Sequence, residues 1–236
     1  MPGYLLKDER IAIDGAADLW IRSLLDRQQF ADPRGEAAAF GISSAAWPLF
    51  GLLWPSALQL AGRLATHPLV AGERILELGC GLGLASLVGH RRGADMTASD
   101  CHPLAGAFLA ENLRLNGLPP LAYRHGDWAS VAGAPGPPGH EPLRGRFDLV
   151  IGSDLLYERD DRGVLAGYID RHATARAPVW IVDPNRGNRS AFNRQMAARG
   201  YDLVDTPIVQ PASPRLDAYR GRWLVYRRPA RDPAGN

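Results

Sequence analysis

The stretch from Arg74 to Gly83, Arg-Ile-Leu-Glu-Leu-Gly-Cys-Gly-Leu-Gly, constrains the fold of this chain most strongly. Its first half is a short apolar run of the kind that forms a buried parallel strand, and glycine takes every second position of its second half. Gly79, Gly81 and Gly83 permit backbone conformations closed to residues with a Cβ, and they let a ligand lie against the main chain. Residues 84–90 then have the pattern of a helix, whose free N–H groups would face that ligand. The stretch therefore predicts a strand, a glycine turn and a helix beside a bound ligand.

The spacing of these glycines separates several nucleotide-binding families. The dinucleotide fingerprint needs Gly or Ala where this chain has Leu84, and a P-loop needs Gly-Lys-Ser/Thr to close the turn. The form present, Glu-x-Gly-x-Gly-x-Gly, resembles the first motif of the class I S-adenosylmethionine (SAM) methyltransferases. The resemblance implies that Glu77, Gly79, Gly81 and Gly83 surround the amino-acid end of SAM. Taken alone, the motif leaves open another nucleotide, or a tight turn that binds nothing.

Length and composition limit the number of domains, the kinds of partner and the cellular location that we expect for this chain. A chain of 236 residues is long enough for one well-buried α/β domain and short for two. The net charge is +2 and the basic residues form no run, so nothing in the sequence calls for nucleic acid as a partner. We find no apolar stretch long enough to span a membrane and no signal peptide, and we expect a cytoplasmic protein. Cys80 and Cys101 are expected to be buried free thiols rather than a disulfide.

The N-terminal region is expected to hold short strands and one helix. Residues 4–13 could form one or two strands, and residues 16–30 show apolar side chains at helical spacing, including Leu19, Trp20 and Leu24. We therefore predict an N-terminal extension over residues 1–46 that packs on the core. A methyltransferase domain would follow over residues 47–228, and residues 229–236 would be a disordered tail.

A Trp-Pro-Ser step at Trp54, Pro55 and Ser56 enters a predicted helix just before the glycine motif. It resembles the corresponding step of the seven-strand protein-lysine methyltransferases, grouped with nicotinamide N-methyltransferase-like sequences. In that group the tryptophan lines the SAM pocket, which implies the same position for Trp54. The alternative is that Trp54 is an ordinary core residue.

Two acidic residues follow the next two predicted strands. Residues 95–99 lead to Asp100, and in Rossmann-like folds an acidic residue at this point accepts hydrogen bonds from ribose hydroxyls. The other role open to Asp100 is to cap the helix predicted from residue 103. Residues 121–125 lead to Asp127 and Trp128, which resemble the adenine site of the family, and a capped turn is the alternative there. Residues 132–146 are rich in Pro and Gly and are expected to form a mobile surface loop with little packing.

The end of the fourth predicted strand, residues 147–152, carries the candidate catalytic groups. The strand leads into Ser153, Asp154 and Tyr157, and ligands of open α/β sheets collect at the carboxyl ends of the strands. Methyltransferases of base or glutamine amines have Asn/Asp-Pro-Pro-Tyr here, and this chain lacks those prolines. Asp-x-x-Tyr resembles the lysine methyltransferase group. This implies that Asp154 and Tyr157 are catalytic, with Ser153 beside the cofactor.

A fifth predicted strand, residues 179–182, ends at the same edge. It is followed by Asp183 and Arg186, which we predict to contact the substrate, although a solvated turn is the alternative. Two final strands are expected at residues 201–206 and 222–227. The family resemblance implies an α/β, Rossmann-like doubly wound fold, with a seven-stranded, mostly parallel sheet, one antiparallel strand and helices on both faces.

The resemblance implies a SAM-dependent N-methyltransferase that acts on a lysine side chain of a protein partner. SAM would be the cofactor, S-adenosylhomocysteine its product, and no metal would be needed because the sulfonium already activates the methyl group. A small-molecule N- or O-methyltransferase on the same fold is an alternative, since fold and cofactor site do not fix the acceptor. A SAM-binding interaction module that has lost catalysis is another. Neither nucleic acid nor a membrane is expected as a partner.

Overall fold

The computed structural model describes residues 4–29, 32–131, 133 and 136–229. Within these residues one sheet is built from β3 (Arg74–Leu78), β4 (Asp95–Asp100), β5 (Ala122–His125), β6 (Leu149–Ser153), β7 (Val179–Asp183), β8 (Asp202–Gln210) and β9 (Tyr219–Arg227). The spatial order is β5-β4-β3-β6-β7-β9-β8. Strands β3 to β7 pair in parallel, whereas β9 is antiparallel to both of its neighbours. The predicted seven-stranded sheet with one antiparallel strand is confirmed.

Helices cover both faces of the sheet because its central strands are apolar on both sides. Ile75 packs on one face together with α2 (Pro55–Thr66), α3 (Leu84–Arg91) and α4 (Ala105–Leu115), whereas Leu76 and Leu78 pack on the other face with α5 (Val164–His172) and α6 (Arg189–Ala197). Side chains that alternate along a strand point to opposite faces, so β3 contributes to both halves of the core. The doubly wound prediction is confirmed, and it places the carboxyl ends of β3, β4, β6 and β7 at one edge.

The helix predicted over residues 16–30 is wrong. The chain there forms β2 (Leu19–Leu24), which pairs antiparallel with β1 (Leu6–Ile11) in a separate two-stranded sheet. Leu19 and Ile21 are buried while Trp20 between them is 49% exposed, which is the period of a strand and not of a helix. Residue 30, the end of the predicted helix, lies outside the described residues.

The backbone N–H groups at the outer edge of β2 donate hydrogen bonds to side chains of a helix that is distant in sequence. The backbone N–H of Trp20 donates to the Asn116 side chain at 2.9 Å, and that of Arg22 donates to the Asn112 side chain at 2.7 Å. Both asparagines lie at the C-terminal end of α4, about ninety residues along the chain. A strand stabilised by such distant partners is beyond what local periodicity can predict.

The structure tests the predictions for the N-terminal region and for the C-terminal tail to different extents. Of residues 4–13, Leu6–Ile11 form the single strand β1, and a four-residue helix, α1 (Glu36–Ala39), follows β2. The division at residue 46 stays a prediction. Of the predicted tail, residues 230–236 lie outside the described residues. No helix in the described part of the chain combines the length and apolar character needed to cross a membrane.

The loop predicted over residues 132–146 is wrong in its second half. Leu143 is buried, and its N–H donates to the His125 carbonyl at 2.8 Å, while the His125 N–H donates to the Glu141 carbonyl at 2.7 Å. The segment therefore covers the free edge of β5, whose unpaired backbone groups require partners. Residues 132, 134 and 135 lie outside the described residues. Both cysteines are free thiols as predicted, and Cys80 is buried, but Cys101 is exposed at the sheet edge, so the prediction that it is buried is wrong.

Candidate functional site

The strand ends open into one hollow of about 1140 Å³. Ten of the thirteen predicted site residues line it, namely Trp54, Gly79, Gly81, Asp100, Asp127, Trp128, Ser153, Asp154, Tyr157 and Arg186. They come from six different connections of the fold, which are brought together because parallel strands share one carboxyl edge. Glu77, Gly83 and Asp183 are not part of the wall. The predicted ligand contacts of these three stay predictions.

The glycine turn between β3 and α3 has the left-handed backbone that its sequence predicts. Gly79, Gly81 and Gly83 have φ values of 57°, 51° and 74°. A Cβ on Gly81 would lie 2.8 Å from the Phe50 carbonyl oxygen. A Cβ on Gly83 would lie 2.5 Å from the Leu109 side chain, so Gly83 is needed for packing against α4 rather than for contact with the hollow.

Asp100 links the end of β4 to the glycine turn. One carboxylate oxygen accepts the Gly81 N–H at 2.9 Å and the other accepts the His102 N–H at 2.9 Å. Burial raises the pKa of Asp100, although these backbone hydrogen bonds act in the opposite direction. Helix α4 begins at Ala105 and has no side-chain cap, so the alternative role as its N-cap is not observed. The carboxylate is left facing the hollow beside the turn.

Asp127 and Trp128 form the next part of the wall. The Asp127 carboxylate accepts the Ala129 N–H at 2.9 Å, so it also stabilises its own turn. The Trp128 ring packs on the apolar cluster of the sheet face that α5 and α6 cover. Its Cζ2 atom would lie 3.7 Å from a Cβ on Gly79. The indole therefore stands over the glycine turn, with a carboxylate next to it.

Glu77 lies behind the glycine turn, and its predicted contact with the cofactor stays a prediction. It is 2% exposed, and its Oε2 accepts the backbone N–H of Ser86 at 2.8 Å and the Ser86 hydroxyl. Its position in β3 between Leu76 and Leu78 turns it toward α3, because neighbouring strand residues face opposite sides. Burial is the main cause that raises the pKa of Glu77 to about 7, against the lowering effect of Ser86. The carboxyl ties the first turn of α3 to the sheet.

Replacing Glu77 with glutamine is expected to stabilise the protein increasingly as the pH rises. The raised pKa means that the folded state binds a proton more tightly than the unfolded chain, so the wild type loses stability between about pH 4.5 and pH 7. Glutamine cannot ionise and can still accept from Ser86. The difference in free energy of unfolding, measured with urea and no added ligand, should be about 1 to 3 kcal/mol in favour of the variant at high pH. A difference that does not change between about pH 5 and pH 8.5 would contradict the raised pKa.

Asp154 follows β6 with a φ of 60°, which is unusual for a residue other than glycine. Its Oδ1 accepts from Nε of Arg186 at 2.6 Å and also from Nη2 of Arg186. Its Oδ2 accepts from the Ser56 hydroxyl at 3.1 Å, and that hydroxyl lies 2.9 Å from the Tyr219 hydroxyl. Sequence reasoning missed Ser56 and Tyr219 as partners of Asp154. Ser56 was visible in the Trp-Pro-Ser step, but Tyr219 carries no local signal.

The turn after β7 holds Arg186 in place. Asp183 is fully buried, and its carboxylate accepts the backbone N–H of Arg186 at 2.9 Å. Burial is the first cause that raises the pKa of Asp183. Its carboxylate thus shapes the turn, and its predicted contact with the substrate stays a prediction. Arg186 itself is 32% exposed at the side chain and points to Asp154.

Trp54 and Tyr157 lie where the hollow meets the surface. The Trp54 indole N–H donates to the Leu49 carbonyl at 2.9 Å. The guanidinium carbons of Arg27 and Arg186 lie 5.8 Å and 6.0 Å from the centre of its ring. Tyr157 is 42% exposed, and desolvation is the main cause that raises the pKa of its hydroxyl. The phenol is therefore protonated at neutral pH and available as a donor.

Part of the wall was not predicted from the sequence. Residues between 39 and 57 line the hollow, among them Phe40, Ile42 and Phe50. The Phe50 ring stacks on the buried His102 ring, with centroids 3.6 Å apart. Burial lowers the pKa of His102 to about 4, so this imidazole is neutral at physiological pH. Apart from the Trp-Pro-Ser step at Trp54, nothing in the local pattern indicated that this segment lies over the hollow.

The wall near the glycine turn suits SAM in its chemistry. Asp100 and Asp127 provide carboxylate acceptors for hydroxyl and amine groups, and the Trp128 indole provides an apolar face for a ring. No cluster of three or more His, Cys, Asp or Glu residues suited to a metal ion occurs among the residues that the structure describes.

Comparison with known proteins places the chain among methyltransferases. The electron transfer flavoprotein beta subunit lysine methyltransferase of Mus musculus is 26% identical over 216 residues, which cover 89% of this chain and 78% of that protein. EEF1A lysine methyltransferase 3 of Mus musculus is 24% identical over 64% of this chain and 63% of that protein. Magnesium-protoporphyrin O-methyltransferase of Rhodobacter capsulatus is 29% identical over 52% of this chain and 50% of that protein. No protein-family profile matches the chain.

Solved structures show the same fold at low identity. Magnesium protoporphyrin IX methyltransferase from Synechocystis PCC 6803, crystallised with SAM, has a TM-score of 0.54 and 16% identity over 74% of this chain and 78% of its own. The glycopeptide N-methyltransferase MtfA, crystallised with sinefungin, has a TM-score of 0.55 and 16% identity over 74% of this chain and 93% of its own. Sheet order, glycine turn and sequence relatives agree: the chain has the fold of the class I, seven-strand methyltransferases and is similar to protein-lysine methyltransferases.

Proposed function

We propose that this protein transfers a methyl group from SAM to the side-chain amine of a lysine in a partner protein. The observation that carries the proposal is the meeting of Asp154 and Tyr157 with the glycine turn in one hollow. Support for a protein acceptor comes from the relatives that match most of the chain, which are lysine methyltransferases of other proteins.

The residues proposed to hold SAM are those that line the hollow near the glycine turn. The backbone of Gly79 and Gly81 would lie along the amino-acid end, Asp100 would accept from the ribose hydroxyls, and Asp127 with Trp128 would hold the adenine. Trp54 and Ser153 would close the site on the acceptor side. When bound, SAM supplies a methyl group that is already activated by a positively charged sulfur, which supports a reaction without a metal.

The chain's own residues must prepare the acceptor. A lysine amine has a pKa near 10.4, so making it neutral at pH 7 costs about 4.6 kcal/mol. Partial desolvation in the hollow lowers that pKa. The Asp154 carboxylate and the Tyr157 hydroxyl then orient the amine by hydrogen bonds, and orientation in a fixed geometry is the main catalytic contribution that the protein makes.

A second candidate is methylation of a small molecule. The segment that lines the hollow contributes apolar side chains such as Phe40 and Ile42, which would suit an enclosed apolar acceptor. The similarity to a porphyrin O-methyltransferase is compatible with this candidate but covers only about half of the chain. The exposed Tyr157 favours an acceptor presented from outside, as a protein side chain would be.

Tritiated SAM distinguishes the candidates. The protein is incubated with recombinant electron transfer flavoprotein beta subunit, and separately with a lysate of the host organism. We expect label on a lysine, located by mass spectrometry, and at least about a hundredfold slower labelling with an Asp154→Asn variant. Label only in small molecules would support the second candidate. SAM binding without any transfer would identify an interaction module that has lost catalysis.

We further propose a cytoplasmic protein that acts without nucleic acid as a partner. The small net charge, the lack of a basic run and the two free cysteines support this. The proposed division into an N-terminal extension, residues 1–46, and a methyltransferase domain, residues 47–228, is supported by the separate two-stranded sheet of β1 and β2.

A further inference from the structure

Asp154 raises an electrostatic problem for the reaction. A lone carboxylate next to the acceptor would favour the protonated amine, because an opposite charge nearby raises the pKa of an amine by about 1 to 3 units. A protonated amine has no lone pair and cannot accept a methyl group. The catalytic carboxylate would therefore hold its substrate in the unreactive form unless its charge is offset.

We propose that Arg186 offsets the charge of Asp154, so that the acceptor amine loses its proton near neutral pH. The inference rests on the proposed transfer to an amine and assigns to Arg186 a positioning role instead of contact with the substrate. The proton leaves to solvent, and the neutral amine keeps a hydrogen bond to the carboxylate.

The hydrogen bonds that Asp154 accepts leave few of its acceptor positions free. Its two oxygens offer about four acceptor positions. Two N–H groups of Arg186 occupy Oδ1, and the Ser56 hydroxyl occupies one position of Oδ2. One position on Oδ2 is left, which is enough to orient a neutral amine through one N–H. It is not enough for the several charge-assisted bonds that an ammonium makes with a free carboxylate.

The turn after β7 is built to keep the guanidinium there. Asn185 has a φ of 65°, and the fully buried Asp183 accepts the Arg186 N–H at 2.9 Å. Both features fix the backbone from which the Arg186 side chain reaches Asp154. Arg186 also lies within 6.0 Å of the Trp54 ring centre, so its guanidinium contacts both a carboxylate and an aromatic wall.

Asp154 and Asp183 each face a guanidinium. Asp154 pairs with Arg186, and Nη1 of Arg189 lies 4.0 Å from Asp183. Further charged residues of both signs line the same hollow, namely Arg27, Asp100, Asp127, Glu158, Arg159, Asp160 and Arg162. The hydroxyls of Tyr157 and Tyr219 also lie in this region, and their pKa values are both raised, chiefly by desolvation. Both are therefore neutral near pH 7. Removing Arg186 would leave an excess negative charge at the place where the amine binds.

Binding of n-butylammonium tests the charge balance without methyl transfer. Arg186→Gln, saturated with S-adenosylhomocysteine, is expected to bind n-butylammonium chloride about tenfold more tightly than wild type at pH 7, followed by tryptophan fluorescence. Arg186→Lys, which keeps the charge, should be close to wild type. Arg189→Gln, which removes the charge that faces Asp183 at 4.0 Å and makes no bond to Asp154, is the matched control and should raise the affinity clearly less than Arg186→Gln does.

The dependence of transfer on pH supplies the second measurement. The rate of Arg186→Gln should rise with pH as in wild type, but with its midpoint about one unit higher, because the unbalanced carboxylate raises the pKa of the bound amine. KM for the lysine protein should fall while kcat at pH 7 falls, and the lysine variant should restore the profile.

The outcomes separate this inference from the proposed function. Equal or weaker binding of n-butylammonium by Arg186→Gln, or loss of kcat by the same factor at every pH, would overturn the role of Arg186. Absence of any amine methylation would overturn the proposed function, yet the binding measurement would still decide the charge balance. Arg186→Met serves in place of the glutamine variant if the latter melts below the assay temperature.

Discussion

Replacing Asp154 with asparagine is expected to lower the rate of methyl transfer by about 10²- to 10⁴-fold while SAM affinity stays within a few fold. Asparagine keeps an oxygen for Ser56 and tolerates the φ of 60°, because Asn is common in left-handed backbone. It cannot orient the amine with a charged acceptor. Alanine at this position should abolish transfer as well, with an added loss of stability. Initial rates with tritiated SAM and calorimetry of SAM binding provide the two measurements.

A matched control for Asp154 is available nearby. Asp161 carries the same charge, is 65% exposed at the side chain and pairs with Arg159 at the surface. Asp161→Asn should leave the rate within about twofold, since exposed ion pairs contribute little. If Asp154→Asn loses transfer and SAM affinity together, Asp154 builds the pocket and is not a catalytic residue.

Replacing Gly81 with alanine is expected to weaken SAM binding by at least about tenfold and to lower the free energy of unfolding by about 1 to 3 kcal/mol. The φ of 51° disfavours a side chain, and the new Cβ would lie 2.8 Å from the Phe50 carbonyl oxygen. Since Phe50 contributes a backbone atom, relief requires movement of one of two main-chain segments that line the hollow. Gly81 also donates to Asp100, so the proposed ribose contact would shift with it. Calorimetry and urea unfolding measure the two effects.

Gly117 provides the control for backbone strain alone. Its φ is 63°, and no heavy atom lies within 4 Å of a Cβ built there. Gly117→Ala should lower the free energy of unfolding by about 1 kcal/mol without a change in SAM affinity. SAM binding by Gly81→Ala that matches the wild type would show that the glycine turn is not the cofactor site.

Local sequence patterns predicted the structure correctly where a few neighbouring residues determine the backbone conformation. The apolar run before Gly79 predicts β3, and the alternating glycines predict a left-handed turn, because only glycine adopts that backbone without cost. Acidic residues directly after predicted strands reach a common edge by the geometry of a parallel sheet, which is why Asp100, Asp127 and Asp154 were found in advance.

Patterns failed where a partner far along the chain decides the outcome. Leu19, Trp20 and Leu24 have spacing compatible with a helix, but backbone bonds to β1 and to asparagines of α4 make the segment a strand. Likewise, the sequence of a motif does not show whether its acidic side chain faces a ligand or the protein interior. Glu77 faces Ser86 inside the protein, and Asp183 faces its own turn.

The sequence alone therefore determined the class of fold, the sheet edge at which we propose that SAM binds and the acidic residues that gather there, because these depend on strand order and backbone geometry encoded over a few residues. Only the tertiary structure decided which groups donate hydrogen bonds to the Asp154 carboxylate and which cation faces its charge. Arg186, Ser56 and Tyr219 come from the turn after β7, the start of α2 and the start of β9, and the hydrogen bonds that link them to Asp154 depend on distances that no local pattern records.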